Sequence, residues 1–295
     1  MTLLVALLLG IVQGVFMFVP VSSTSHLVLT QTFLREQGVD MPPSDSPEMI
    51  LFDLVVHVGT LVSVVIVMGG GLRELGTGVR SEMTDGTLRR EGLSGAVSTK
   101  LILLGLLSVA VTGVLGLTFQ DVLTEGFGSP RAVAGALVVT GALLWWTDAM
   151  TSERSGRRLR FAWRGPAEVT VTVAVLIGVA QAAALTPGLS RSGTTIFAAL
   201  ILGMTRTLAA RYSFYIAIPT ILAATGVQAL QVALGEGFGT ISWGAMAVGF
   251  VVAAAVGTGA LWVVLRVLEA ARFRVFAFYV WALAAVTVVA GLGVE

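Results

Sequence analysis

Two polar clusters interrupt an otherwise apolar chain. The first reads Val19-Pro20-Val21-Ser22-Ser23-Thr24-Ser25-His26. The second reads Thr186-Pro187-Gly188-Leu189-Ser190-Arg191-Ser192-Gly193-Thr194-Thr195. In the second, a guanidinium stands among hydroxyls and glycines. Gly188 and Gly193 let the backbone turn and approach a ligand closely. A helix predicted to start near Ser192 aims free N–H groups and the positive end of its dipole at the cluster. With Ser190, Ser192 and Thr194, that set suits a phosphate, which Arg191 can grip bidentately. The alternative is an arginine that only holds broken backbone carbonyls.

The first cluster supplies acid/base chemistry. His26 can act as general acid, general base or nucleophile near neutral pH. Ser22, Ser23, Thr24 and Ser25 can position phosphate oxygens, or one serine can attack with His26 as its base. The alternative is capping and packing. Asp53 and His57 form a third pair, at i and i+4 on one helix face in Phe52-Asp53-Leu54-Val55-Val56-His57-Val58-Gly59-Thr60. An intramembrane carboxylate is a functional candidate, and the alternative is a hydrogen bond that satisfies both. With no cysteine and two histidines, thiolate chemistry and a Cys/His zinc site are excluded.

The elements that position these residues are membrane helices. Of 295 residues 56% are hydrophobic and only 12% are charged, about half the charge of a soluble domain. That excludes a disordered chain, a nucleic-acid binder and a soluble enzyme. Six apolar segments, near 50–70, 100–119, 131–150, 211–232, 242–265 and 275–293, are long enough to cross a bilayer. Regions 3–34 and 168–204 are broken by the polar clusters. Broken backbone cannot face lipid, so both are expected to be re-entrant helical hairpins buried in protein or lining water. Residues 1–19 lack a basic n-region and a clean cleavage site, so they are expected to stay as part of the first hairpin.

Charge placement sets the threading. Fifteen of the 18 basic residues fall in 71–100, in 151–167, at Arg206 and Arg211, or between 266 and 274. Those segments are expected on the cytoplasmic side. Asp148 is expected at a solvated cytoplasmic helix end, and the six tryptophans at membrane interfaces. The first hairpin then opens from outside, the second from the cytoplasm, and their tips meet. Pro20-x-x-Ser23-x-Ser25 and Pro187-x-x-Ser190-x-Ser192 share a pattern, which suggests an inverted-topology repeat. The alternative is small and hydroxyl residues that merely let helices pack. The expected fold is a single all-α polytopic membrane domain over 1–295, with six transmembrane helices and two opposed re-entrant hairpins.

At these tips the sequence resembles the undecaprenyl-diphosphatase family, the bacitracin-resistance type of lipid pyrophosphate phosphatase. Its first motif, approximately E-G-x-T-E-F-L-P-V-S-S-T-G-H-L, corresponds to Gln13 through Leu27. Its second, P-G-x-S-R-S-G, is intact at Pro187 to Gly193. Segments 53–60, 177–181 and 209–219 are also similar, so the resemblance covers most of the chain. The resemblance implies hydrolysis of undecaprenyl diphosphate to undecaprenyl phosphate and phosphate, recycling the lipid carrier for peptidoglycan and other envelope polymers. It implies an outward-facing site in the cytoplasmic membrane, assisted by Mg²⁺ or Ca²⁺. Carried over, Arg191 binds pyrophosphate. Ser22, Ser23 and His26 are catalytic or positioning residues. Ser190, Ser192 and Thr194 complete the cradle with Gly188, Gly193, Thr24 and Ser25.

The chain departs from the family motif at two positions. The family glutamates, natural metal ligands or acid/base groups, fall on Gln13 and Met17, and the family glycine before the histidine is Ser25. Gln13 offers an uncharged carbonyl oxygen, and Met17 offers nothing to a hard cation. Asp53 is a single substitute carboxylate, with His57 beside it, so the metal is left open. A second function stays open too, a non-hydrolytic polyprenyl-phosphate transporter or flippase that keeps the phosphate cradle. The implied partner is a polyprenyl diphosphate or phosphate lipid in the membrane. A homodimer is left open.

Overall fold

The computed structural model describes residues 1–44, 46–119, 130–151, 165–186, 188–234, 242–269 and 273–289. Among them it is all helical, with no β-strand. The first break separates α1 (Leu3–Phe16) from α2 (Ser23–Glu36). Then come α3 (Pro47–Thr84), two single turns α4 (Thr87–Arg90) and α5 (Gly92–Gly95), α6 (Val97–Thr118) and α7 (Pro130–Thr151). The second break separates α8 (Val171–Ala183) from α9 (Arg191–Ile201). The chain continues with α10 (Arg206–Leu234), α11 (Trp243–Glu269) and α12 (Phe273–Val289).

Local sequence explains the starts. The hydroxyls of Thr2, Ser46 and Thr170 accept from the N–H groups of Val5, Met49 and Val173, each capping a helix. Pro47 occupies the first turn of α3, where its missing N–H costs nothing.

Five helices, α3, α6, α7, α10 and α11, are long and apolar enough to cross a membrane. The chain is a multi-pass membrane protein. The sixth expected segment is helical over Phe273–Val289, 17 residues, and its expected end at 290–293 lies outside the described residues. The four helices beside the two breaks have 14, 14, 13 and 11 residues. At about 1.5 Å per residue none reaches the ~30 Å of a hydrocarbon core.

Two sequence expectations are corrected here. Segment 71–84, expected as loop, continues α3 for a total of 38 residues. The run of charge ends the membrane-compatible stretch without ending the helix. The far end is tied down by Glu82, whose carboxylate accepts from the N–H groups of Ser98 and Thr99 and from the Thr99 hydroxyl, capping α6. Just beyond, the Thr87 N–H and hydroxyl bonds hold the exposed Asp85 carboxyl below the usual carboxylate range. Asp148, expected to be solvated, is 8% exposed and pairs with Arg274 at 2.8 Å, linking α7 to α12. It is the one ion pair among the described residues. The arginines expected in 151–167 lie outside them.

Packing partners repeat between the two halves of the chain. α1 packs along α11 and α8 along α6. α3 packs on α11 and α10 on α6. The pairs α3–α10 and α7–α12 join the halves. Small residues let these backbones touch. A Cβ on Gly14 of α1 would stand 2.9 Å from the Gly257 nitrogen of α11, and one on Gly178 of α8 would stand 2.7 Å from the Ser108 oxygen of α6. The counterpart helices of the two breaks are therefore fixed at close range to counterpart neighbours. Large apolar side chains such as Leu4, Ile66, Val114, Leu230 and Val251 remain exposed around the outside, as a lipid-facing surface requires.

Candidate functional site

The second turn is built from the backbone outward. Gly188 has φ +88, and a Cβ there would stand 2.5 Å from the Val133 oxygen on α7. Thr140, also on α7, donates to the Gly188 oxygen at 3.0 Å and accepts from the Ser190 N–H at 3.1 Å. Ser190 then caps α9 by accepting from the Gly193 N–H at 3.2 Å. The helix begins at Arg191, one residue before the expected Ser192. Ser190, Ser192, Gly193 and Thr194 are buried in and around its first turn. Pro187 lies outside the described residues.

Arg191 is half-buried. Its Nη1 is fully enclosed, as is Thr194 Oγ1, and neither has a hydrogen-bond partner among the described residues. Holding a cation out of water with open donors is costly. Among the described residues no carbonyl of the broken turn accepts from Arg191 Nη1. Thr195, one turn into α9, donates back to the Arg191 oxygen at 2.8 Å and meets Ser213 Oγ at 2.6 Å.

The first turn is built differently. Ser22 has φ 67, and it is the one non-glycine with positive φ among the described residues. This conformation costs about 1–3 kcal/mol in a residue with a side chain. It turns the Ser22 carbonyl toward His26, whose Nδ1 lies 2.7 Å away. A carbonyl only accepts, so Nδ1 carries a proton. The other nitrogen, Nε2, lies 2.7 Å from Tyr279 Oη on α12. Phe16 stacks on the imidazole with centroids 3.8 Å apart. Ser22 and Ser25 share a hydroxyl contact of 3.0 Å. Ser23 points to the Met17 sulfur at 3.8 Å, and Thr24 is half-buried in the first turn of α2. Ser22 makes no side-chain cap, which leaves that turn's N–H groups without one.

The shared Pro-x-x-Ser-x-Ser pattern is offset by one residue in the structure. Ser190 is the cap of α9, whereas Ser23 is already the first residue of α2. The two turns nevertheless meet. A Cβ on Gly193 would stand 3.4 Å from Pro20 Cβ, and Phe18 packs edge-on against Phe214 at 5.9 Å. Asp53 and His57 do not bond through their side chains, contrary to that alternative. The Asp53 carboxylate accepts from Gln31 Nε2 at 3.0 and 3.3 Å, and His57 Nδ1 donates to the Asp53 backbone oxygen at 2.6 Å. Arg191 is close enough to act on His57 electrostatically.

Sequence reasoning did not single out Tyr279, Thr140, Phe16 or Gln31. Gln181 was quoted only within the similar segment before the second tip. It and Gln13 did carry a signal, a buried amide late in the apolar helix before each break. Both are fully buried, and both have an Oε1 without a partner among the described residues. Gln181 Nε2 donates to Thr112 and Thr220, while Gln13 Nε2 turns to the Met17 sulfur. A cavity of about 580 Å³ lies elsewhere, between α3, α6 and α10 beside Leu101, Arg211 and Tyr215, and no tip residue lines it.

The donors at the first tip do not fit a hard divalent cation, which wants several oxygen ligands. Gln13 brings one neutral carbonyl oxygen and Met17 a thioether already engaged by Gln13 and Ser23. No group of three or more His, Asp or Glu could hold a metal among the described residues.

The fold and site define a helical membrane protein in which the turn that leads into Arg191, whose Nη1 has no partner among the described residues, meets the turn that leads into a histidine–serine cluster. The model of the family described as bacitracin resistance protein BacA matches residues 6–286. The undecaprenyl-diphosphatase of Alkalilimnicola ehrlichii is 48% identical over 286 residues, covering 96% of this chain and 95% of that protein. The undecaprenyl-diphosphatase of Halorhodospira halophila is 48% identical over 288 residues, covering 97% and 96%. Undecaprenyl-diphosphatase 2 of Stutzerimonas stutzeri is 34% identical over 296 residues, spanning both chains in full. The chain belongs to the bacitracin resistance protein BacA family.

Proposed function

We propose that this protein is a membrane phosphatase that hydrolyses a polyprenyl diphosphate, of the undecaprenyl class named in its relatives, to polyprenyl phosphate and inorganic phosphate. The observation that carries this reading is the enclosed, unpartnered Nη1 of Arg191 at the start of α9, in a turn that touches the turn holding His26 and Ser22. Such a position attracts an anion. The guanidinium and the helix N-terminus lower the cost of charge on the terminal phosphoryl group. Phosphoryl transfer depends mainly on that stabilisation and on positioning.

Ser190, Ser192, Gly193 and Thr194 shape the cradle on one side, with the orphaned Thr194 hydroxyl as a further donor. Ser22, Ser23, Thr24 and Ser25 line the other side, with the first-turn N–H groups of α2. The attacking oxygen, from water or from Ser22 or Ser23, loses its proton toward His26. Asp53 and Gln31 brace α2 against α3 from behind. No step is routed through a divalent cation, because the donors at Gln13 and Met17 do not suit one. The two short-helix pairs act as re-entrant hairpins of opposite orientation in the cytoplasmic membrane, with the site open to the outside. The short lengths of α1, α2, α8 and α9 and the matched packing of the two halves support this arrangement.

The test is phosphate release from a C55 or C15 diphosphate by purified protein in detergent. Wild type releases phosphate, while Arg191→Ala and His26→Ala do not release it at a comparable rate. Absence of release from wild type, with or without added Mg²⁺ or Ca²⁺, overturns the reading.

A further inference from the structure

We propose that Tyr279 carries the proton between His26 and the reacting phosphate. The inference rests on the phosphatase reading above and names a catalytic group that the motifs do not contain. His26 itself is closed off. The residue is 6% exposed, Phe16 covers one face, and Nδ1 is committed to the Ser22 carbonyl. The one nitrogen left for chemistry, Nε2, faces Tyr279 Oη at 2.7 Å. Tyr279 is 42% exposed, so the tyrosine is the open partner of the pair and the histidine the enclosed one.

The hydrogen-bond roles follow from the commitment of Nδ1. In the neutral imidazole Nε2 has only a lone pair, so the tyrosine O–H donates to it. In the imidazolium Nε2 carries a proton, and the tyrosine oxygen accepts. The same contact serves both protonation states by reversing direction, which is the property of a relay.

In the hydrolytic step the attacking water gives one proton to Tyr279 Oη as the tyrosine's own proton moves to Nε2. The water oxygen forms a bond to the terminal phosphorus. The bond from that phosphorus to the bridging oxygen breaks, and its electron pair stays on the bridging oxygen of the polyprenyl phosphate. The proton on His26 returns through Tyr279 to the released phosphate. The tyrosine is regenerated, and the products are polyprenyl phosphate and inorganic phosphate.

The experiment uses purified full-length wild type, Tyr279→Phe, His26→Ala and the double variant, assayed on a C15 diphosphate. Tyr279→Phe keeps the ring that packs near Phe16 and removes the hydroxyl. The expected result is a fall in kcat of about 100-fold, within the general acid–base range, with KM little changed. Two residues that act as one unit are not additive, so the double variant is expected to be no slower than His26→Ala. The chain has two histidines, so the ¹⁵N resonances of His26 are assignable by comparison with His26→Ala. The Nε2 signal of wild type shifts in Tyr279→Phe while the unfolding midpoint stays near that of wild type.

Unchanged kcat in Tyr279→Phe beside an inactive His26→Ala overturns the relay and leaves the phosphatase reading standing. So does a double variant whose loss is the product of the two single losses. An unmoved Nε2 signal in Tyr279→Phe overturns it even if the variant is poorly active. Absence of phosphate release from wild type overturns the phosphatase reading, and the relay with it.

Discussion

The turn between α8 and α9 and the turn between α1 and α2 meet at Pro20 and Gly193, yet they solve the same problem with different residues. The second uses a glycine where φ is positive, a serine that caps the helix and Thr140 to satisfy the freed backbone. The first uses Ser22 at positive φ, leaves α2 without a side-chain cap and spends the Ser22 carbonyl on His26. One turn is relaxed and holds the charge. The other is strained and holds His26. In the proposed mechanism, anion binding is served by a fixed cradle with open donors, and proton transfer by an imidazole whose direction a strained carbonyl dictates.

Changing the charge in the relaxed turn gives the largest expected effect. Arg191→Ala lowers kcat/KM by about 10³-fold, the upper range for removing a transition-state charge partner. Arg191→Lys recovers only part of this, because lysine lacks the planar fork. Phosphate-release kinetics check both. If Arg191→Ala retains activity, the assignment of charge to that turn is wrong.

Exchanging the backbone solutions sharpens the contrast. Gly188→Ala places a Cβ in contact with the Val133 oxygen at positive φ, and is expected to destabilise the protein by about 1–3 kcal/mol. Ser22→Gly relieves strain at the first turn and is expected to stabilise by up to about 1 kcal/mol while activity falls, since the His26 partner loosens. Denaturation midpoints in one detergent, measured alongside turnover, test the opposite signs. Equal destabilisation by both changes would show that the turns are built alike.

The smallest effect concerns the cation. Wild-type turnover is expected to change little in a chelator. Gln13→Glu combined with Met17→Glu gives the first turn two carboxylates, and is expected to make phosphate release depend on added Mg²⁺ or Ca²⁺. A titration of metal against rate for both proteins decides it.

Much of this arrangement was legible because its cause is local. An apolar run of membrane length announces a span, and proline with a hydroxyl cluster announces a break. Arg191 and His26 stood out because their types are costly in such surroundings. What was not legible depends on partners far along the chain. Charge at Arg73 and Arg80 ended the apolar run but not α3, because Glu82 finds the first turn of α6. The spacing of Asp53 and His57 set a shared face. Gln31, arriving on α2, then took the carboxylate. Asp148 looked solvated until α12 brought Arg274 to it. Tyr279 belongs to no motif, and only the placement of α12 brings it to His26.

That last contact spans 253 positions, and α1 itself lies against α11, with Gly14 touching Gly257. A ribosome making this chain releases α1 and α2 long before the helices that pack on them exist. A product truncated before α12 lacks the hydroxyl that meets His26.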